Sequence, residues 1–382
     1  MANGSNRSRG VSLSNRRSFL GTVGAAGALA LAGCSGLGGG DGADPFDDYG
    51  PQAAAVSASA VSWDDLGDLE GELTIYSGRT RDQIDPLFAA IEDEYDGFTI
   101  NRDYDGNAEQ LNKINEEGQG SPADIFYTQS GGALASLKQE DRVRTLPDDV
   151  VDAVSDTYSD PDGTWTGASG RVRSIQYNTD LWEGGAEALP ADIMEYATDE
   201  RFEGIISTRP NSGTFRSFII AMIELEGEEA TREWVRGMVD DQNATLYSSG
   251  GDQAQNVADG NQAVALGNNY YAARVLNNDP DTPLDLAFTD GDAGCLFNVS
   301  GVGILDSSDR PNLAAEFTRH VLAAEGQEFF VNTNGEYPVL DGVDYVGDLP
   351  SLSEINPPEF DLNALADVER AVDLLRDEGM TV

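Results

Sequence analysis

The chain has 382 residues, 68 Asp and Glu against 23 Lys and Arg, and a formal net charge of −45 at pH 7. A surface this acidic repels phosphate backbones and anionic headgroups, which argues against nucleic acid and anionic lipid as partners. Its one histidine, His320, and two cysteines cannot assemble a zinc site of the His/Cys type, nor a Ser-His-Asp or Cys-His triad.

Lysine occurs only at Lys113 and Lys138 while arginine is plentiful, a bias that reads as adaptation to high salt, where self-repulsion is screened. The chain opens with Ser14-Asn15-Arg16-Arg17-Ser18-Phe19-Leu20, a weakly apolar run from Gly21 to Leu31, and then Ala32-Gly33-Cys34. That order is an export address rather than a fold. The paired arginines resemble a twin-arginine signal, and Leu31-Ala-Gly-Cys34 a lipobox, whose Cys34 becomes the lipidated first residue of the mature protein. The apolar run falls well short of the roughly 20 residues that a membrane-spanning helix needs. Removing residues 1–33 takes away four arginines and no acid, which moves the net charge from −45 to −49. With Cys34 consumed by lipid, Cys295 stands alone and no intramolecular disulfide is expected. Residues 34–65, rich in Gly, Asp, Ala and Ser, have little to bury and read as a flexible acidic linker.

From residue 66 short β-rich runs alternate with helical patterns. Glu72–Tyr76, Phe98–Arg102 and Ala123–Tyr127 read as strands, with helices over Gln83–Tyr95 and from about Ala108 to Glu117 between them. Ile175–Tyr177, the apolar helix Phe215–Leu225, Ala263–Leu266 and Val302–Leu305 follow. Such alternation implies an α/β fold with βαβ units and a mostly parallel sheet. His320 falls in an amphipathic helix over Ala314–Ala324, where a place on the helix surface is expected. Several strands end in small polar turns: Ser77-Gly78-Arg79-Thr80, Thr128-Gln129-Ser130-Gly131, and Gly267-Asn268-Asn269-Tyr270-Tyr271. A fourth turn, Arg209-Pro210-Asn211-Ser212-Gly213-Thr214, opens the Phe215 helix. Carboxyl ends of strands form the ligand crevice in open α/β sheets, and helix starts with small residues expose N–H groups that suit anions. Each turn is ordinary by itself; together they mark a cleft for an anion or a metal–anion pair.

In this order the residues resemble the periplasmic ferric-ion-binding proteins of ABC importers, here in an exported, salt-adapted, archaeal type of lipoprotein. The likeness runs from Leu73-Thr-Ile-Tyr-Ser-Gly78 through Ser121-Pro-Ala-Asp-Ile-Phe-Tyr-Thr128, Ser169-Gly-Arg-Val-Arg173 and Tyr177-Asn-Thr-Asp180. It continues over Asn268-Asn-Tyr-Tyr271, Asp292-Ala-Gly294 and Glu336-Tyr-Pro338. The resemblance implies a two-lobed periplasmic-binding-protein-like fold, each lobe a mixed sheet flanked by helices, with the cleft at the hinge. Lobe 1 would hold residues 66–173 and 297–346, and lobe 2 residues 174–296 and 347–382.

It further implies that Tyr270 and Tyr271 give phenolate ligands to Fe(III), a hard acid able to deprotonate a phenol with a pKa of about 10. A synergistic carbonate, phosphate or citrate would lie against Ser212, Gly213, Thr214 and Asn268, with Arg79 and Arg171 as guanidinium partners. This sequence departs from the family pattern at Thr80 and Gln129, where the first-lobe histidine and glutamate ligands would stand. Gly250 replaces an anion-site asparagine, and Phe215 a further tyrosine. Tyr104, Tyr247 and Asp292 lie in loops that could contribute instead. The resulting expectation is a monomeric, lipid-anchored carrier on the outer face of the membrane that delivers Fe(III) to a permease and is not an enzyme. The alternatives are the same fold carrying another small anion or metal chelate, and, as an outlier, a secreted enzyme.

Overall fold

The computed structural model describes Val56 and residues 61–380 apart from 341 and 346–348. The export and lipidation features at Arg16, Arg17 and Cys34 lie outside the described residues.

Nine strands form one sheet system. They are β1 (Gly71–Ser77), β2 (Phe98–Tyr104), β3 (Ile125–Thr128), β4 (Thr166–Asn178) and β5 (Ile206–Thr208). The rest are β6 (Thr245–Leu246), β7 (Val264–Asn268), β8 (Leu284–Ala287) and β9 (Phe297–Ile304). The strand order is β2-β1-β3-β9-β4-β7-β5-β6, with β8 also paired to β4.

The connections explain the mixture of directions. β1 pairs in parallel with β2 and β3, and β5 with β6 and β7, as helical crossovers require. β9 runs antiparallel to β3 and β4, and β4 antiparallel to β7 and β8. The sheet is therefore mixed and not mostly parallel, because β4 and β9 are crossing strands that return the chain between its two halves.

β4 is the organising element. Its first part, Thr166 to Val172, pairs with β9; its second part, from Arg173, pairs with β7. All thirteen residues are buried, so no polar–apolar alternation marks it in the sequence. The changeover at Val172/Arg173 joins the two halves of the two-lobed architecture, and the strand-end turns gather beside it.

One continuous core of buried side chains runs through both halves. Phe88, Tyr127 and Phe317 meet edge-on or tilted beside β1 and β3. In the other half the Gly213–Glu226 helix buries Phe215 and Phe218 through Ile223, with Phe218 edge-on to Trp234. At typical values each such aromatic contributes about 2–3 kcal/mol through burial. The C-terminal helix Val368–Asp377 lies on this half, tied by Arg370 to Glu224 and Glu228.

His320 is buried rather than on the helix surface. The Pro311–Leu322 helix turns it inward, where Nδ1 meets the Glu316 carbonyl at 2.7 Å and Nε2 meets the Tyr95 hydroxyl at 2.8 Å. Nδ1 donates to the carbonyl, so Nε2 accepts from Tyr95 and the ring is neutral. Burial holds its pKa down, to about 4. A periodicity reading places polar residues outside and has no means of foreseeing two internal partners.

Candidate functional site

Tyr270 and Tyr271 occupy the first turn of the Asn269–Asn278 helix, directly after β7. Their ring centroids lie 4.2 Å apart with planes tilted by 41°. Tyr270 is buried, and burial first, then the neighbouring Tyr271, pushes its phenol pKa up, against the pull of Arg171. Without a cation the phenol stays protonated, so any metal it binds must displace that proton. Tyr271 is half-buried, and its hydroxyl accepts a 2.9 Å hydrogen bond from Arg209 Nη1. Gly250 has a steric role here: a Cβ at that position would come within 2.2 Å of the Tyr271 ring. The asparagine that the family pattern places there has no room beside Tyr271 in this conformation.

Beside the tyrosines stands the Gly213–Glu226 helix. Ser212 caps it, accepting from the Phe215 amide, while Thr214 Oγ1 accepts from Asn268 Nδ2 at 3.0 Å. Space next to Gly213 is open. Ser212, Gly213, Thr214 and Asn268 thus come together one turn from Tyr270. First-turn N–H groups and the helix dipole make this an anion-favouring corner.

The two candidate arginines differ in their partners. Arg79 is completely buried, and its terminal nitrogens clasp Glu336 at 2.9–3.1 Å, with Nη1 also 2.7 Å from Ser300 Oγ. Ser169 donates to the same carboxylate at 2.6 Å. Arg79 is therefore neutralised from within the chain. Glu336, its counter-ion, is depressed in pKa by Arg79 despite its burial. Arg171 makes no ion pair of its own among the described residues, although the charge of Glu336 reaches it; its hydrogen bond goes to the Gln129 carbonyl, and its Nε is buried without a partner.

Thr80 and Gln129 converge through Gln83. Thr80 caps the Arg81–Glu94 helix and shares the Gln83 carboxamide oxygen with the Gln129 side chain. From Gln83 the bonding continues to Asn334 and then to Arg274, whose guanidinium sits 5.2 Å from the Tyr270 ring centre. The first-strand turn and the tyrosines thus border one region. What Thr80 and Gln129 offer there is neutral: hydroxyl and amide groups instead of imidazole and carboxylate.

Of the three remaining candidates, Tyr104, at the end of β2, and Asp292 have side-chain partners elsewhere. Tyr104 donates to Asp85 at 2.7 Å beneath Arg81. Asp292 caps a short turn, accepting from Ile193 N, Gly294 N and Thr289 Oγ1. Tyr247 is held by its backbone to Thr208, with its phenol raised mainly by burial. Among the described residues no group of three His, Cys, Asp or Glu side chains could hold a metal ion.

Comparison with known proteins gives the family. Residues 120–361 match the family model described as bacterial extracellular solute-binding protein, well over half of the chain. The chain belongs to this family. Among curated relatives of this solute-binding protein, iron uptake protein A2 of Synechocystis is 30% identical over 287 residues, spanning 71% of this chain and 79% of that one. The major ferric iron-binding protein of Neisseria meningitidis is 26% identical, spanning 87% and 98%. Among solved structures, iron-bound HitA from Pseudomonas aeruginosa superposes with a TM-score of 0.72 at 28% identity, over 81% of this chain and 99% of that one.

Several residues of the solute-binding protein's cleft carry no signal in the sequence. Arg209 and Arg274 touch the tyrosines, yet in the sequence they are two more arginines among many. Arg173 reads there only as part of Ser169-Gly-Arg-Val-Arg173; its place on the same face of β4 as Ser169 and Arg171 follows from the period of two along a strand.

Proposed function

We propose that this solute-binding protein captures Fe(III) outside the cell and delivers it to the permease of an ABC importer. The observation that carries the reading is the Tyr270–Tyr271 pair, set at a helix start beside an anion-favouring corner, in a chain whose relatives are named for ferric iron. Two phenolates suit a hard trivalent cation, and their remaining neighbours leave coordination positions for a carbonate, phosphate or citrate placed against Ser212, Gly213, Thr214, Asn268 and Arg171. Arg79, held by Glu336, backs this wall.

The lobes, residues 66–173 with 297–346 and residues 174–296 with 347–382, close about the β4 and β9 crossings. A lipid on Cys34 after twin-arginine export keeps the monomer near its permease and raises its effective concentration there. The protein works as a stoichiometric carrier and not as an enzyme.

Adding Fe(III)-citrate to the mature protein in high salt should produce a visible phenolate-to-iron charge-transfer band. No band, or an unchanged band in Tyr270→Phe/Tyr271→Phe, defeats the reading. In that event the neutral Thr80 and Gln129 positions favour an anion or another chelate as cargo. A thermal-shift screen over such ligands would identify it, since a ligand of the folded state raises the melting point.

A further inference from the structure

Asn269 stands between Asn268 and Tyr270, yet its side chain is completely buried and bonds the crossing segments of the fold. It sits at the fork where β4 leaves β9 and takes up β7: Val172 lies opposite Phe297 of β9, and Arg173 opposite Asn268 of β7. The Val172 amide donates to Asn269 Oδ1 at 2.9 Å. On the other side of the same carboxamide, Nδ2 donates to the Tyr345 hydroxyl at 2.7 Å and to the Gly335 carbonyl at 3.3 Å. The orientation is fixed, because a flipped amide would set a donor against the Val172 N–H.

A fork in a sheet leaves an amide that some group must satisfy, and one carboxamide oxygen is enough for that. It does not require the opposite end of the amide to grip a third segment. That segment, the corner at residues 334–337, is held to the first half of the protein residue by residue. Asn334 Nδ2 donates to the Gln83 carbonyl at 3.0 Å, Glu336 clasps Arg79, and Tyr337 exchanges backbone hydrogen bonds of 2.8 Å with Gly170. The tyrosine-bearing helix Asn269–Asn278 reaches the same corner from the second half. Asn269 bonds Gly335, and one turn on Arg274 Nε donates to the Asn334 carbonyl at 2.9 Å. Gly335 has a φ of +68°, and a Cβ there would come within 3.0 Å of Ala273 Cβ and 3.2 Å of the Tyr270 carbonyl oxygen. The positive φ and the close approach of the helix both call for glycine.

We infer that Asn269 is a positioning residue that couples the hinge to Tyr270 and Tyr271: it holds the tyrosine-bearing helix on the 334–337 corner, so that lobe closure and the phenol positions change together. The inference rests on the ferric reading above and names the residue through which the metal ligands act on the lobes. A rotation of one half about β4 and β9 pivots at this carboxamide. Tyr270 is the next residue, so no flexible link lies between pivot and ligand. A bound ligand shifts a two-state equilibrium only through interactions that differ between the states, and a rigid link turns metal coordination at Tyr270 into such a difference. Couplings of this kind change affinity by about 5–150-fold.

The test uses the mature protein, stripped of metal, in high salt, as wild type, Asn269→Ala and Tyr345→Phe. Titration with Fe(III)-citrate, or with Fe(III) and bicarbonate, read at the charge-transfer band gives the affinity and the band at saturation. Small-angle X-ray scattering gives the compaction on loading, and thermal unfolding gives the stability of the ligand-free forms. In the wild type, loading should shrink the radius of gyration. Asn269→Ala should reach the wild-type band at saturation, since both phenols remain, with iron affinity at least about fivefold weaker and a smaller compaction. Tyr345→Phe removes one arm of the clamp and should move affinity and compaction in the same direction by less.

A purely structural asparagine would lower the melting point of Asn269→Ala and leave iron binding alone. Wild-type affinity or wild-type compaction in that variant therefore overturns the inference while the ferric reading stands. Loss of its band at saturation does so too, because Asn269 would then shape the metal site itself, and so does a wild-type protein that shows the band without compaction. If Asn269→Ala does not fold, Tyr345→Phe decides, and wild-type affinity and compaction there overturn the inference. Absence of a band in the wild type with both ferric sources overturns the ferric reading and this inference with it.

Discussion

The Arg79–Glu336 pair offers the sharpest test of how the cleft wall is built. Both side chains are almost fully enclosed, at 0% and 3% exposure, and make three hydrogen bonds with the two serines Ser169 and Ser300. Glu336→Gln keeps the shape and removes the charge, which strands Arg79 in the interior. Breaking a buried pair from one side costs about 3–5 kcal/mol. At about 2–4 °C per kcal/mol for a chain of this order of size, the melting point should fall by roughly 6–20 °C. Removing both charges, as Arg79→Met/Glu336→Leu, trades the pair for apolar packing and should recover most of that loss, because desolvation of two ions is no longer required. The assay is thermal unfolding of the ligand-free protein at fixed high salt, for wild type, single and double variants. If the double variant is no more stable than Glu336→Gln, the stranded charge is not the source of the loss and the reasoning fails.

Two further outcomes follow from single residues. His320, neutral in the fold with a pKa of about 4 against 6.5 when unfolded, binds fewer protons folded than unfolded between those values. Its contribution is therefore complete above about pH 6.5, declines as pH falls, and is lost below about pH 4, a change of about 3 kcal/mol. Denaturant unfolding at pH 7 and 4.5, compared with His320→Gln, should show the histidine-dependent part of the acid loss; equal acid sensitivity in the variant removes it. At Gly250, substitution by Ala should displace the half-buried Tyr271 ring and not the backbone, so the melting point changes little. The iron charge-transfer band, read by titration, should weaken, and an unchanged band would show that Tyr271 does not need its present position.

How much of this was legible in the sequence depends on the range of the interaction. The βαβ alternation, the strand-end turns and the Tyr270-Tyr271 pair are local patterns; the α/β class follows from the alternation, which by itself points to a mostly parallel sheet, while the mixed sheet enters only with the family resemblance. β4 was visible only as Ile175–Tyr177, because a strand buried along its whole length, with Gly, Ser and Arg in its first half, shows neither alternation nor an apolar run. Arg79 was read as an anion contact from its place after β1. Its partner Glu336 is 257 positions away, and no spacing rule connects them. His320 fails for the same reason, since its burial is set by Tyr95 from a distant helix end. Arg171 stands out as a cleft residue, but that Glu336 clasps Arg79 and only reaches Arg171 through its charge can be recognised only once the carboxylate has a position.

The neutral residues and the unpaired cations describe one arrangement. Arg171 donates to the backbone carbonyl of Gln129, whose own side chain is neutral and turns to Gln83. With glutamine there, the charge persists. Phe215 acts similarly on Arg173: an aromatic ring supports the cation through its face but offers no hydroxyl oxygen to bond it. The region thus sets neutral side chains at Thr80 and Gln129 beside buried arginines, in a chain where acids outnumber bases about threefold. Chance pairing would favour the opposite. Stability alone would also favour the opposite, since an acid at either position would relieve a buried charge. Such a local conflict is expected where a site is shaped for what it binds, and its sign, positive beside two tyrosines, suits a ligand that carries anionic oxygen.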